Sequence, residues 1–389
     1  MIESKPVDIV IAGGGPVGAA LAASLRDTGL DVVLVDPHVP PRARGGEAGQ
    51  SQPLRPIALS HGSRLILERL GVFERIAATP IATIHVSQCG GFGRTLMKSG
   101  ELDVPALGYV ADFAAVSAEL FAAASAMHVR GRFVRQESID ERVRTWVDVD
   151  GREHAYDARL LVLADGGRGD ENPTRRDYRQ SAVVARVHTE VAPKGIAWER
   201  FTPSGPIALL PFADAYALVW TVPQERAEQL LALPAPAFCD ALHEVFGDRL
   251  GRFSDAEMRY AYPLALRFRA DTVAAPRTLA IGNAAQTLHP VAGQGLNLGL
   301  RDAVELVDLI RASTRDAIGS TSFLSRARAQ RRLDRYATIG MTDTLITVFS
   351  GDDAPRRFLR GCGLAALDLL PPLRRFLARR MIFGARALP

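Results

Sequence analysis

Cysteine is scarce in this sequence, with three residues in a chain of 389. Cys89, Cys239 and Cys362 are far apart and form no C-x-x-C pair, which excludes the common zinc-binding spacings and a disulfide framework. This use of cysteine favours a reducing compartment, because disulfides accumulate mainly in oxidising ones. We therefore expect a cytoplasmic protein.

Long apolar runs and a strong net charge are also missing. No uninterrupted apolar segment is long enough to cross a membrane, and the apolar stretch at residues 7–12 is too short for a signal peptide. The chain has 47 basic and 43 acidic residues, so its overall charge does not favour nucleic acid as a partner. The basic excess is local, because residues 354–389 contain eight arginines and one aspartate.

The sequence is rich in apolar residues, which make up 47% of the chain. A chain of this length and composition can bury a large core and is most simply divided into two domains.

A glycine motif with the spacing G-x-G-x-x-G follows the first β-branched stretch, residues 7–12. Its members are Gly13, Gly15 and Gly18. Pro16 suits the first turn of a following helix, and a second apolar stretch ends at Asp36. This order predicts a βαβ unit whose glycine backbone approaches a pyrophosphate and whose carboxylate accepts from a ribose hydroxyl. A simple turn into a helix is the alternative. The motif does not separate FAD from NAD, although Asp36 disfavours the phosphorylated ribose of NADP.

A second glycine-rich segment lies at residues 278–310. It begins as a buried strand, continues through a loop with Pro290, Gly293 and Gly295, and ends as a helix with apolar residues at helical spacing. Backbone N–H groups at the start of that helix would face the loop and suit the pyrimidine edge of a flavin. A glycine-rich turn without a ligand is the alternative.

Together, the two glycine segments resemble the paired FAD motifs of the group A flavoprotein aromatic hydroxylases. More narrowly, they are similar to the UbiH/VisC-type hydroxylases of ubiquinone biosynthesis. The stretches at 55–76, 200–223 and 262–273 also match, and the resemblance covers nearly the whole chain.

This resemblance implies an α/β fold with a Rossmann-like FAD-binding domain, an inserted β-sheet substrate domain and a C-terminal helical tail. The implied boundaries are 1–175 with 262–345 for the FAD-binding domain, 176–261 for the substrate domain and 346–389 for the helical region.

The resemblance also implies the residues that hold FAD. They are Gly13, Gly15, Pro16, Gly18, Asp36, Arg55, Asp165, Gly282, Asn283, Gly293, Gln294, Gly295, Leu296 and Asn297. Asn283 stands where most relatives have an aspartate. His289 and Pro290 would line the reactive side of the flavin as the catalytic pair, although a histidine that only fixes the loop is the simpler interpretation of His289.

Three positions depart from the family pattern. Ala114 stands where the family has an arginine, and Gly169 and Asn172 replace the serine and arginine of its D-G-x-x-S-x-x-R motif. Each change removes a polar or charge-assisted contact, which predicts weaker binding of FAD.

The implied reaction is hydroxylation of an electron-rich ring by a flavin C4a-hydroperoxide, formed with O2 and electrons from NAD(P)H. The implied substrate is a polyprenylated phenol of the 2-polyprenyl-6-methoxyphenol type. Leu210, Phe212 and Trp220, on two apolar strands, are candidates to line its channel. A hydroxylase of another small aromatic compound, or a non-catalytic member of the ubiquinone biosynthesis complex, remains an alternative. A flavin halogenase is disfavoured, because no W-x-W-x-I-P sequence occurs.

The segment PPLRRFLARRMIF, residues 371–383, predicts an amphipathic basic helix. Three interpretations stay open. The helix rests at the inner surface of the membrane, docks on a protein of the biosynthetic complex, or packs on the core of this chain.

Overall fold

The computed structural model describes residues 4–40, 55–167, 174–287, 294–349 and 354–384. Its strands are β1 Ser4–Ala12, β2 Val32–Asp36, β3 Pro56–Ser60, β4 Ala78–Ile81, β5 Thr83–Gln88, β6 Arg94–Lys98, β7 Gly108–Asp112, β8 His128–Arg130, β9 Arg132–Ile139, β10 Arg142–Val149, β11 Arg152–Leu163, β12 Thr174–Thr189, β13 Ile196–Thr202, β14 Gly205–Phe212, β15 Ala215–Pro223, β16 Phe253–Phe268, β17 Val273–Ala275, β18 Thr278–Ala280 and β19 Gln286–Thr287. Its α-helices are α1 Pro16–Leu25, α2 His61–Arg69, α3 Phe113–Ala124, α4 Gln224–Ala232, α5 Ala235–Phe246, α6 Gln294–Arg311, α7 Thr321–Phe349, α8 Ala354–Leu369 and α9 Pro371–Phe383.

The first sheet has the strand order β17-β18-β11-β1-β2-β8, and β10 and β9 extend it beside β11. Strand β1 pairs in parallel with both β2 and β11, and β11 pairs in parallel with β18. The apolar run of β1 suits this central place, because a strand of a parallel sheet is covered on both faces. Ile9 and Ile11 are fully buried in a core shared with α1, α3 and α6.

One charged residue, Asp8, lies within this buried strand. Its carboxylate accepts hydrogen bonds from Arg315 at 2.7 and 2.5 Å and from Arg159 at 3.2 Å. Asp8 is only 3% exposed, so these bonds compensate for the loss of hydration. They tie the start of the chain to a turn that lies 307 residues later.

The second sheet has the strand order β19-β16-β12-β15-β14-β13-β5-β6. One face packs on α4 and α5, and the other faces a cavity. The predicted segment 176–261 supplies its centre, whereas β5 and β6 come from residues 83–98 and β16 continues to Phe268. This sheet is therefore not confined to the predicted boundaries, because strands distant in sequence pair at its edge.

The C-terminal helices pack on the rest of the chain. Arg374 of α9 donates hydrogen bonds to both carboxylate oxygens of Glu101, at 2.9 and 3.0 Å, and Asp368 of α8 accepts from the backbone N–H of Leu96 at 3.2 Å. Ala378 and Ile382 pack in an apolar cluster with Met97 of β6, Leu102 and Leu107. Packing on the core, one of the three interpretations of this segment, is thus found for one face of α9. Within the described residues, no helix is long and apolar enough to cross a membrane.

Candidate active site

A cavity of about 1670 Å³ lies between the two sheets. The glycine loop after β1 and the start of α6 form one end, and the inner face of the second sheet forms a wall. Four residues of α8 and α9 also line it: Leu364, Leu367, Leu377 and Met381. The cavity therefore joins the two predicted FAD motifs to an apolar surface and to the C-terminal helices.

The three glycines of the first motif differ in their backbone conformation and in the space around them. Gly13 has a φ of +115°, and a Cβ there would lie 2.5 Å from the carbonyl oxygen of Ala164. Gly18 is buried, and a Cβ there would collide with the carbonyl oxygen of Gly13. Gly15 lines the cavity, and apart from its chain neighbours and its own helix no atom of the described residues lies within 4 Å of the position of its missing Cβ. The fold requires Gly13 and Gly18, whereas Gly15 leaves space for a ligand.

Helix α1 begins directly at this space. Gly15 is its N-cap residue and offers no side chain to the first N–H groups, and Pro16 occupies the first turn. The unsatisfied N–H groups and the helix dipole favour an anion at this point. Asp36 lies beside the loop, where its carboxylate accepts from the backbone N–H groups of Gly14 at 2.6 Å and His38 at 2.8 Å.

The second loop is fastened to α6. Gly282 has a φ of +56°, and its N–H donates to Asp302 at 2.8 Å. The side-chain amide of Gln286 donates to the same oxygen at 2.9 Å. A Cβ on Gly282 would lie about 3.0 Å from the side chain of Val17, so this glycine allows the loop to approach α1. The next residue, Asn283, is exposed to the cavity.

A buried ionic cluster supports this loop. Arg331 of α7 is 8% exposed, contacts Asp302 directly, and lies 3.2 Å from Glu305 and 3.3 Å from Asp334. Burial opposes the charge of the Arg331 guanidinium, but the three carboxylates outweigh it, and the pKa of Arg331 is raised. The sequence reasoning missed this cluster, since its members belong to two helices separated by a turn.

Most of the predicted FAD residues come together at the cavity. Those that line it are Gly13, Gly15, Pro16, Asp36, Arg55, Asp165, Asn283, Gly295 and Leu296. Arg55 places its guanidinium 4.6 Å from the centre of the Phe113 ring and 5.8 Å from that of Tyr262. Ala114, which stands in place of the family's arginine, also lines the cavity. The roles of these residues toward FAD remain predictions.

Four other predicted FAD residues have structural roles. Gly18 and Gly282 pack in the interior. Asn297 is buried, and its amide accepts from the backbone N–H of Ser60 at 2.8 Å and donates to the carbonyl of Ala58 at 2.9 Å. Gln294 is buried as well and donates to the carbonyl of Met381 at 3.5 Å. The side chains of Asn297 and Gln294 therefore hold the start of α6 in place and do not line the cavity.

Several predicted residues lie outside the described residues. They are the catalytic pair His289 and Pro290, the cofactor residue Gly293, and the departures Gly169 and Asn172.

The predicted substrate residues separate between the two faces of the second sheet. Leu210 lines the cavity. Trp220 requires a correction, because its side chain is 2% exposed and packs edge-to-face on Phe238 of α5, behind the sheet. Phe212 packs against Ile81 and its neighbours beside the cavity. Alternation along a strand explains the difference, since neighbouring side chains point to opposite faces.

Two charged residues at the cavity were not singled out from the sequence. Arg132 lies at its rim, near the end of β2. Glu199 of β13 lies in the apolar wall, where burial raises the pKa of its carboxyl group to about 7. Every second residue of this part of β13 lines the cavity, namely Ala197, Glu199 and Phe201. A single charged residue among the apolar residues of one strand face was the feature of the sequence that could have indicated Glu199.

Known proteins resemble this chain over almost its full length. A family model described as FAD binding domain matches residues 6–337. The chain belongs to this FAD-binding family. Ubiquinone hydroxylase UbiL from Rhodospirillum rubrum is 31% identical, over 96% of this chain and 89% of that protein. The 3-demethoxyubiquinol 3-hydroxylase of Escherichia coli is 30% identical, over 96% of this chain and 98% of that protein.

The fold is shared with a solved flavoprotein. The structure of an HpxO variant from Klebsiella pneumoniae with FAD has a TM-score of 0.74, at 16% identity, and covers 98% of this chain and 100% of that chain. The predicted α/β fold of the aromatic-hydroxylase type is confirmed. The resemblance to the UbiH/VisC-type enzymes is confirmed as well, and the protein is an FAD-dependent monooxygenase. NAD(P)H is the electron donor typical of this family.

The cavity of this FAD-binding protein fits the cofactor. Gly15 and Gly295 both line it, and in the part of the chain that the structure describes no residue beyond their chain neighbours and their own helices comes within 4 Å of where their Cβ atoms would lie. The uncapped start of α1 adjoins the first of these glycines and suits a pyrophosphate. A flavin could thus approach the backbone at both motifs.

Proposed function

We propose that this monooxygenase hydroxylates a polyprenylated phenol in ubiquinone biosynthesis. The supporting observation is one continuous cavity of about 1670 Å³ that extends from the glycine loops along the apolar wall to α8 and α9. Typical small-molecule sites occupy roughly 300–1,000 Å³. A cavity of this size has room for FAD together with a phenol and a long apolar tail.

The residues of this chain would bind and orient both molecules. The loop at Gly13 and Gly15 and the start of α1 would hold the pyrophosphate, with Asp36 beside the ribose and Asn283 near the ribityl chain. Bound FAD would supply the activation of O2 for transfer of one oxygen atom to the ring. The apolar wall that includes Leu210 would exclude water and position the ring.

The substrate that the sequence resemblance favours is a 2-polyprenyl-6-methoxyphenol. The Escherichia coli relative is named a 3-demethoxyubiquinol 3-hydroxylase, so its substrate belongs in the same assay.

The test is product analysis by mass spectrometry with FAD-loaded protein, NADPH, O2 and phenols of increasing prenyl length. We expect hydroxylated product, and a KM that falls as the prenyl tail lengthens, because each buried CH2 contributes about 0.8 kcal/mol. Leu210→Trp is expected to raise the KM for the long-tailed phenol, because the larger side chain fills the cavity. Trp220→Phe is the matched control on the other face of the sheet and should change stability more than KM.

Other outcomes would contradict this function. Equal KM values for short and long tails would favour a different small aromatic substrate. Failure to bind FAD would favour the non-catalytic interpretation suggested by Ala114, Gly169 and Asn172.

We also propose that the C-terminal helices contact an anionic membrane surface. Their inward residues line the cavity, whereas four outward residues, the C-terminal apolar patch, are exposed to solvent. The members of this patch are Leu369, Leu370, Leu373 and Phe376, with exposures of 77%, 51%, 46% and 67%. Arg375 and Arg379 are exposed on α9 beside them, and such cations are attracted to anionic lipid headgroups. A prenylated substrate could then pass from the lipid to the cavity through these helices.

Replacing Leu373 and Phe376 by glutamate is expected to weaken binding to vesicles of phosphatidylglycerol and phosphatidylcholine about tenfold or more. The change removes apolar contact and adds charges that anionic lipids repel. Vesicle co-sedimentation measures it, and Leu333→Glu, on an exposed site of α7, is the control. Unchanged vesicle binding would contradict the proposal. It would favour a protein of the biosynthetic complex as the binding partner of the patch.

A further inference from the structure

Glu199 lies in the middle of the cavity wall. On β13 it is paired with Ala208 of β14 on one side and with Val86 of β5 on the other. Ala208 is in turn paired with Val219 of β15, and all four residues line the cavity. One carboxyl group is thus presented within an apolar row that crosses the sheet.

The carboxyl group has no hydrogen bond or ion pair with any residue in the described part of the chain. The residues two positions away on the same face of β13, Ala197 and Phe201, are apolar. Arg200 points to the opposite face, where it acts electrostatically on His85 and Arg249. The cation next to Glu199 in sequence is therefore separated from it by the sheet.

An unpaired carboxyl in such a wall opposes folding, since a buried charge without a partner loses its hydration. Burial also raises the pKa of Glu199 to about 7, so its proton can be exchanged near neutral pH. A group that holds and releases a proton at the working pH suits acid–base catalysis. The same cavity extends to the glycine loops, so this carboxyl and the proposed flavin site line one continuous space.

Resting on the proposed function, we propose that Glu199 is a catalytic residue that accepts the proton of the substrate's phenol hydroxyl group. The O–H bond of the phenol breaks, its electron pair stays on the ring oxygen, and the proton joins the carboxylate of Glu199. The resulting phenolate is more electron-rich at its ring carbons and reacts faster with an electrophilic oxygen. After the oxygen transfer, the C–H bond of the hydroxylated ring carbon breaks, its proton leaves to solvent, and its electron pair restores the aromatic ring with the negative charge on the ring oxygen. Glu199 then returns its proton to that oxygen, so the carboxylate is restored.

The first test uses FAD-loaded protein and a prenylated 4-nitrophenol, whose phenolate absorbs visible light. The difference spectrum with and without the nitrophenol reports ionisation of the bound probe, independently of turnover. We expect the wild-type protein to bind it as the phenolate at neutral pH, and Glu199→Gln to bind it as the neutral phenol. Glu228→Gln, at an exposed position on α4, is the matched control and should behave as the wild type.

The second test is the pH dependence of hydroxylation with the natural type of substrate. General-base catalysis contributes typically about 10²–10⁴-fold, so we expect kcat of Glu199→Gln to fall about 100-fold or more. The inflection near neutral pH should disappear, and Glu199→Asp should restore part of the rate. The proposal is overturned if Glu199→Gln keeps the wild-type kcat and pH profile, or if the bound nitrophenol ionises equally in both proteins.

Failure of this proposal can be told apart from failure of the proposed function. If the wild-type protein gives no hydroxylated prenyl phenol, the function is wrong whatever Glu199 does. If the wild-type protein is active and Glu199→Gln is unchanged, only the role of Glu199 is wrong.

A folding defect in the variant would not leave the question open. The raised pKa means that the folded protein binds a proton more strongly than the unfolded chain, so stability falls as pH rises from the ordinary value of 4.5 to about 7. Glu199→Gln lacks this loss and should be the more stable protein above pH 7. If Glu199→Gln were less stable than the wild type above pH 7, the carboxyl group of Glu199 would have a stabilising partner, which would contradict the proposal.

Discussion

Replacing Gly15 by aspartate is expected to abolish FAD binding without weakening the fold. Gly15 has an extended backbone, with φ −63° and ψ 176°, which any residue adopts. Aspartate is favoured at an N-cap and contributes about 1 kcal/mol to helix stability there. The new carboxylate would occupy the space intended for a pyrophosphate, and a like-charge contact costs several kcal/mol. At about 1.4 kcal/mol per factor of ten, affinity should fall about 100-fold or more.

Fluorescence titration of the apoprotein with FAD measures this affinity, and urea unfolding measures stability. Gly15→Ala adds volume without charge and should show a smaller loss. Gly100→Asp, at an exposed position away from the cavity, controls for the added charge. Tight FAD binding by the Gly15→Asp variant would mean that the pyrophosphate lies elsewhere.

Replacing Arg331 by methionine is expected to lower the free energy of unfolding by about 3–5 kcal/mol. The substitution removes the cation that Asp302, Glu305 and Asp334 share in the interior, whereas Arg301 stays paired with Asp334 at 2.8 Å. Removal of one partner from a buried ionic cluster carries a cost of this size, because the remaining charges stay dehydrated.

Urea unfolding at pH 7 measures this loss of stability. Arg332→Met changes the adjacent, exposed arginine and is the matched control, with an expected change within about 0.5 kcal/mol. We also expect weaker FAD binding by Arg331→Met, because Asp302 holds the N–H of Gly282. Equal stability of the two variants would show that the cluster does not support the second loop.

Local patterns in the sequence were sufficient for the two FAD motifs. The apolar stretch 7–12 forms most of β1, Pro16 is the first residue of α1, and Asp36 is the last residue of β2. The apolar spacing from Leu296 to Ile310 falls within α6, Gln294–Arg311. Each of these features depends on neighbours a few residues apart, which is the range that periodicity and capping residues describe.

Features that depend on distant pairing were not predictable in this way. Strand β5 joins the second sheet through parallel pairing with β13, more than a hundred residues later. The apolar pattern predicted strands at Leu210 and Trp220. It did not predict which face of the sheet each side chain occupies, because that depends on the helices that pack on one face and the cavity on the other. The role of Asn297 toward the flavin stays a prediction, and the hydrogen bonds by which its side-chain amide joins α6 to Ser60 and Ala58 were not indicated by local spacing.

The bond between Asp8 and Arg315 has a consequence for synthesis on the ribosome. Strand β1 also needs β11 at residues 152–163, and β11 needs β18 at residues 278–280. The first sheet therefore cannot close until residue 280 of the 389 has emerged, and contacts this distant in sequence form slowly. Until α6 follows, the part of the core that this helix covers stays exposed, and transiently exposed apolar surface favours aggregation of the nascent chain.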